Sequence, residues 1–226
     1  MVSDSEMVRV EATDSGLQTA QEDILSANVK KSKDNKSLNR KDRRVVRTEK
    51  KIHKVFLELL EENSYADITV GMILERAKIN RSTFYKHYIN KHDLASEVMA
   101  NCQESIISSL LGEERLSIGN LGFFKSLQST LSKNRELLKL VFRLNGEELD
   151  VRKSFHDSFY RSIKKHYEGR LYSSSDDELD LGAYVSADIL ISVLMYYLEK
   201  GEEVHPDNII RVIVNMYGLR SYYTPE

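Results

Sequence analysis

Ile52, Val55, Phe56, Leu59 and Leu60 recur at the spacing of one face of an amphipathic helix, and this stripe predicts a helix over about residues 48–62. The next apolar set is Ile68, Val70, Ile73, Leu74, Ala77, Ile79, Phe84 and Tyr88. It does not fit one continuous rod and suits two short helices, about 70–77 and 81–88, crossing at a tight turn. Thr69 and Asn80 stand where N-caps belong, because their side-chain oxygens can accept from the free N–H groups of a first helical turn. Lys78 falls in the turn between the two. Asn90 and Asp93 read as the cap and the acidic partner of a capping box. They open a long helix whose apolar positions run through Leu94, Val98, Cys102, Ile106 and Leu110.

Further helical stripes follow. Leu121, Phe124, Leu127 and Leu131 form one; Leu137, Leu138, Val141 and Phe142 form another, with Asn134 as its cap. Residues 147–171 make a longer amphipathic segment carrying Val151, Phe155, Phe159, Ile163 and Tyr167, and the polar run 173–178 separates it from two last helices. In those, 179–198 and 209–219, apolar residues fall nearly all round the helix. Such helices must be covered on every side, and a second subunit is an economical cover. The expected fold class is all-α. The expected division is a tail at 1–40, a helix-turn-helix unit at 41–91 and a helical domain at 92–226.

Composition sharpens this picture. With 226 residues, 41% hydrophobic and 30% charged, the chain can bury a core of its own, and its two prolines and ten glycines leave helices uninterrupted. Residues 1–40 have no sustained periodicity and cannot bury enough surface to offset the entropy of ordering. The formal net charge of −2 conceals an uneven distribution. Residues 41–91 carry twelve Lys/Arg against seven Asp/Glu, whereas 92–226 carry fifteen against twenty-one. A basic segment beside an acidic remainder suits a polyanionic partner met by one part of the molecule. Lys30, Lys31, Lys33, Lys36 and Arg40 lead into Lys41, Arg43, Arg44 and Arg47, a basic arm able to reach phosphates or a minor groove.

Cys102 is the single cysteine, so no internal disulfide can form, and no apolar signal region opens the sequence. The cytoplasm is the expected compartment. The most apolar run, 183–198, is short for a bilayer span and contains Asp188, so a buried helix and no membrane contact are expected. No glycine-rich nucleotide loop, GxSxG elbow or HExxH motif is present. The expectation is therefore a non-enzyme with no catalytic residues, no cofactor and no dedicated metal site.

The chemistry concentrates on 81–88. Arg81, Ser82, Thr83, Tyr85, Lys86 and His87 put donors, hydroxyls and positive charge on one short element, which is what a helix entering a major groove requires. The run TVGMILERAKINRSTFYKHYINKHDL over residues 69–94 resembles the DNA-binding domain of the TetR family of bacterial transcriptional regulators. The likeness covers about residues 47–96 and joins the preceding helix, the TFY of the reading helix and the K-x-x-L that opens the long helix. It departs from the family at Lys78, where glycine is usual, and at Gly71, where a polar side chain is common.

The resemblance implies a homodimer built on the last two helices, with two reading heads on a palindromic double-stranded DNA operator. Half-sites would lie about 34–36 Å apart or at a related spacing. By motif position, Arg81, Ser82, Thr83 and Lys86 would meet base edges, and Thr69, Tyr85, His87 and Lys91 would hold phosphates. Phe84 and Tyr88 read as core. A small-molecule effector would sit among Phe123, Phe124, Phe142, Phe155, Phe159, Tyr160, Tyr184 and Tyr196, with His156 and Asp188 as polar anchors. The alternatives are control by a protein partner, or by a metal held through His156, His166 or Cys102.

Overall fold

The computed structural model describes residues 40–111, 121–144, 149–168 and 175–200, together with 208, 211 and 212. The expected tail before Arg40, most of the expected last helix and the side chain of Phe124 lie outside the described residues. Eight helices and no strand occur among the described residues. They are α1 (Arg40–Glu62), α2 (Val70–Ala77), α3 (Arg81–Phe84), α4 (Lys91–Leu111), α5 (Leu121–Lys133), α6 (Arg135–Phe142), α7 (Val151–Tyr167) and α8 (Asp176–Lys200).

The all-α expectation holds, with corrections at element ends. Helix α1 begins at Arg40 rather than near residue 48. The added turns carry no apolar stripe, but Arg and Lys are good helix formers and extend a helix already fixed by packing. Helix α3 is shorter than expected. After Phe84 the chain tightens into three-residue turns, with Lys86 N–H on the Thr83 carbonyl at 3.3 Å and His87 N–H on that of Phe84 at 2.9 Å. Thr83 and the aromatics around it are weak helix formers, which suits a short element held by its anchors.

The chain forms two compact units. Its first unit contains the described residues from Arg40 through Ser105 and those within 136–153. Ile52, Phe56, Leu60, Ile68, Ile73, Ala77, Phe84 and Leu94 are fully buried there, the inward stripes predicted from spacing. Arg76 forks onto Glu62 with contacts of 2.8 and 2.7 Å, linking α2 to the end of α1. The Arg143 guanidinium donates to the carbonyls of Glu61 at 3.3 Å and Asn63 at 3.2 Å. A cation there satisfies carbonyls that a helix C-terminus leaves open.

Both predicted caps of the helix-turn-helix form. Thr69 Oγ1 accepts from Met72 N–H at 3.2 Å, and Asn80 Oδ1 from Thr83 N–H at 2.8 Å. Lys78 closes α2 in the left-handed region, φ 48° and ψ 51°. Its N–H reaches the Glu75 carbonyl and that of Ile79 the Leu74 carbonyl, the two bonds of a Schellman stop. A side chain in that region crowds its own carbonyl, whereas glycine does not. Lys78→Gly is expected to raise stability by about 0.5–1 kcal/mol, read as an upward shift of the thermal midpoint. An unchanged or lower midpoint would count against strain at this turn.

The second unit contains the described residues of Ile106–Arg135 and those from Ser154 onward. Its buried residues include Leu110, Phe123, Leu127, Leu131, Phe155, Phe159, Ile163, Ala187, Leu190, Ile191 and Leu194. Helix α8 corrects two expectations. By length and composition alone its 25 residues would suffice to cross a membrane, with an 18-residue window of mean hydropathy 1.6. Only 33% of that apolar window is buried. Leu181, Tyr184, Val185 and Tyr196 point outward at helical spacing, so one face packs in the unit and an apolar stripe faces out. Charge is nevertheless built into it: Asp180 pairs with Lys164 and accepts from the Tyr160 hydroxyl. The Lys164 and Tyr160 donors hold the Asp180 carboxyl below its ordinary pKa.

Candidate nucleic-acid interface

The reading segment is made by two buried rings and the polar residues between them. Phe84 is fully buried and Tyr88 is 1% exposed, with their ring centroids 5.6 Å apart. Because both face inward from one short element, Arg81, Ser82, Tyr85 and Lys86 face outward, and all four are exposed. The Arg81 guanidinium lies 5.7 Å from the centre of the Tyr85 ring, which steadies a long side chain without covering its donors. Neither ring anchor was expected to touch DNA, and their burial agrees with that.

Asn80 organises the hydroxyls as well as the helix. Its Oδ1 accepts from Thr83 Oγ1 at 2.7 Å and from Ser82 Oγ at 2.9 Å, besides the backbone bond. Both hydroxyl protons are thereby turned inward. What Ser82 and Thr83 offer outward is oxygen lone pairs, which suit the amino groups of adenine or cytosine. Thr69 is exposed and uses its oxygen as the α2 cap, which leaves its hydroxyl proton to donate. Gly71 is not forced by space, since a Cβ there would sit 3.5 Å from Thr69 Oγ1 in ordinary contact.

Two expected phosphate ligands are more deeply engaged than their spacing suggests. Lys91 Nζ donates to the carbonyls of Tyr65 at 2.9 Å, Ala66 at 3.1 Å and Ile68 at 2.8 Å. It also lies 4.7 Å from the centre of the Tyr65 ring. An ammonium has three N–H donors, so the turn between α1 and α2 uses them all, and partial burial lowers the Lys91 pKa. The side chain expected on DNA is a clamp on a loop. Lys91→Met is expected to cost about 1–2 kcal/mol of stability by leaving those carbonyls without a charged donor, read from the urea midpoint. A variant as stable as the parent would return Lys91 to the DNA surface.

His87 is the other. Its Nδ1 lies 3.2 Å from Glu49 Oε1 on α1, and its side chain is 10% exposed. Beside it, His53 Nε2 sits 2.8 Å from the Tyr88 hydroxyl and 3.4 Å from Glu97 Oε1 on α4. The His53 bond holds the Glu97 carboxyl below its ordinary pKa, and burial followed by the nearby carboxylates pushes the Tyr88 phenol far up. Sequence reasoning missed Glu49, His53 and Glu97. Glu49 and His53 share one face of α1 at four-residue spacing, but nothing local pairs them with residues 87 and 88.

The capping box is also altered. Asn90 Oδ1 accepts from Asp93 N–H at 2.9 Å as expected, while Asp93 Oδ2 accepts from the N–H of Ile89 at 2.9 Å rather than from that of the cap residue. The carboxylate thus reaches one residue further back and holds the end of the reading segment.

The residues expected around an effector differ in burial and fall in both units. Phe123, Phe155 and Phe159 are core. Phe142 belongs to the first unit. His156, Tyr160, Tyr184 and Asp188 do come together, along the seam of α7 and α8. The His156 and Tyr184 rings are 4.6 Å apart, those of Tyr160 and Tyr184 6.3 Å, and His156 Nε2 is 3.6 Å from Asp188 Oδ1. Cys102 is fully buried, and burial pushes its thiol up to about 12. No group of three or more His, Cys, Asp or Glu suited to a metal occurs among the described residues.

Comparison with known proteins agrees with this architecture. Residues 54–98 match the model for bacterial regulatory proteins of the tetR family. The chain is 30% identical over 189 residues to YxbF of Bacillus subtilis, an uncharacterized HTH-type transcriptional regulator, covering 80% of this chain and 47% of that protein. It is 41% identical over 54 residues to DhaS of Lactococcus lactis, an HTH-type transcriptional activator of the dhaKLM operon, covering 24% of this chain and 29% of that one. The chain therefore spans about half the length, or less, of these curated relatives.

Among solved structures, a TetR-family protein from Syntrophomonas wolfei aligns with TM-score 0.58 at 16% identity, over 79% of this chain and 97% of that one. NalD of Pseudomonas aeruginosa, the secondary repressor of the MexAB-OprM efflux pump, aligns with TM-score 0.53 at 19% identity, over 75% and 92%. These likenesses carry the fold alone. The matched segment goes further for its own residues: 54–98 form a DNA-binding domain of the tetR family of bacterial regulatory proteins.

Proposed function

We propose that the protein is a sequence-specific DNA-binding transcriptional regulator, a cytoplasmic homodimer that represses by occupying a palindromic operator and responds to a small-molecule effector. The observation that carries this reading is the outward set Arg81, Ser82, Tyr85 and Lys86 standing on the buried anchors Phe84 and Tyr88. A short rigid element presenting a guanidinium, an ammonium and oriented hydroxyls fits a major groove and little else. Residues 41–91 are the DNA-binding part in this proposal and 92–226 the part that dimerises and binds effector. The outward Leu181, Tyr184, Val185 and Tyr196 of α8 support dimerisation, because a second subunit could cover them. The α7–α8 seam, with His156, Tyr160, Tyr184 and Asp188, is the site we assign to effector or partner contact.

An activator is the second reading, favoured by 41% identity over 54 residues to a protein named as an activator. Capture of genomic fragments by the purified full chain tests the proposal, followed by fluorescence anisotropy on the recovered sequence. A two-fold symmetric consensus bound far more tightly than bulk DNA is the expected result. Recovery of no preferred sequence would overturn it. The position of the bound sequence relative to the promoter, and transcription with and without the protein, separates repression from activation.

A further inference from the structure

We propose that Glu49 is a positioning residue for His87 and that, through this pair, each reading head takes up a proton when His87 engages a DNA phosphate. The inference rests on the DNA-binding reading and adds to it an obligatory change of protonation.

An ionised carboxylate only accepts hydrogen bonds, so the 3.2 Å contact between Glu49 Oε1 and His87 Nδ1 places the hydrogen on Nδ1. A neutral imidazole has one N–H. With Nδ1 carrying it, Nε2 presents a lone pair. A phosphodiester oxygen also only accepts, and it would meet that lone pair with repulsion. His87 can stand between Glu49 and a phosphate in one form only, the imidazolium, which donates from both nitrogens. DNA contact at this side chain and protonation are then the same event.

The surroundings favour that event. His87 follows Tyr85 and Lys86, both exposed on the reading segment. Glu49 meets the ring from α1 and Tyr88 flanks it with centroids 6.1 Å apart, and behind Tyr88 His53 of α1 pairs with Glu97 of α4. The Glu97 carboxyl is held below its ordinary pKa chiefly by the His53 hydrogen bond, with a smaller contribution from His87. His53 is committed elsewhere, with Nε2 on Tyr88 and Glu97, and its buried Nδ1 has no hydrogen-bond partner among the described residues. That leaves His87 Nε2 as the imidazole nitrogen of this cluster for an outside acceptor.

The test is the pH dependence of affinity for the captured fragment, measured by anisotropy with the full chain from pH 5.5 to 8.5 at constant salt. Histidine titrates around pH 6.5. Parent affinity is expected to rise as pH falls through that range, with a slope approaching about one proton per reading head. In Glu49→Gln the side-chain amide can donate to Nδ1, so a neutral imidazole can carry its hydrogen on Nε2 towards phosphate. The slope should then fall by about one proton per head. His87→Gln, which keeps a donor near the Nε2 position and cannot titrate, should lose the same part of the slope. His53 is unchanged in all three proteins, so its titration cancels in the comparison.

A pair that serves only to hold α1 against the reading segment would weaken both variants equally at every pH. Parallel pH profiles for parent and variants would therefore overturn the inference while leaving DNA binding intact. Failure of the parent to bind any fragment saturably at any pH would overturn the DNA reading and this inference with it.

Discussion

Phe84→Ala is expected to cost about 3–5 kcal/mol of stability, the range for truncating a buried phenylalanine. Phe84 is fully buried, and its ring meets Tyr85 edge-on at 5.4 Å and Tyr88 at 5.6 Å. Helix α3 has only four residues, too few to hold itself by backbone bonds. Its orientation is delegated to this ring and to the Asn80 cap. Small domains are stable by about 5–15 kcal/mol, so the loss is a large share of the total. Urea unfolding should show it as a lower midpoint, with specific DNA binding lost at temperatures where the parent binds. A loss below about 1 kcal/mol would mean that the site collapses around the gap, and that something other than Phe84 fixes the reading segment.

The second large effect concerns discrimination. Arg81→Ala is expected to reduce preference for the captured sequence over its single-base variants by about 5- to 150-fold, the equivalent of the 1–3 kcal/mol carried by a bidentate arginine–guanine contact. Arg81 is exposed at the first position of α3, and the Tyr85 ring restrains it without using its fork. Lysine should not substitute for it, because an ammonium cannot reproduce a planar pair of donors. Competition binding against single-base variants measures the effect. A loss shared equally by all sequences, with a flatter salt dependence, would instead place Arg81 on a phosphate.

The parts of this structure that were legible in the sequence are those decided by neighbours along the chain. Thr69 and Asn80 cap their helices because a cap needs only a side-chain oxygen and the next few N–H groups. The left-handed Lys78 follows from the tight stop between two apolar stripes. Phe84 and Tyr88 are inward because their spacing is that of a helical face. Illegible residues depend on distant partners. Glu49 and His87 are separated by thirty-eight positions, and His53 and Tyr88 by thirty-five. Lys91 was the harder case. A cation at a helix N-terminus reads naturally as an anion ligand, and only the folded loop reveals three carbonyls turned towards it. Candidate effector residues are hard to read for a related reason: aromatics at helical spacing carry no label separating core from cavity, and Phe155 and His156 are adjacent in sequence yet differ in burial.

The Arg143 guanidinium, stitched to the carbonyls of Glu61 and Asn63, has a consequence for biosynthesis. The first unit is assembled from two separate stretches of chain, with residues 136–153 returning to it after an excursion into the second. A nascent chain that has just released Ser105 from the ribosome still lacks that returning stretch. Completion of the first unit must therefore wait for the codons of the second stretch.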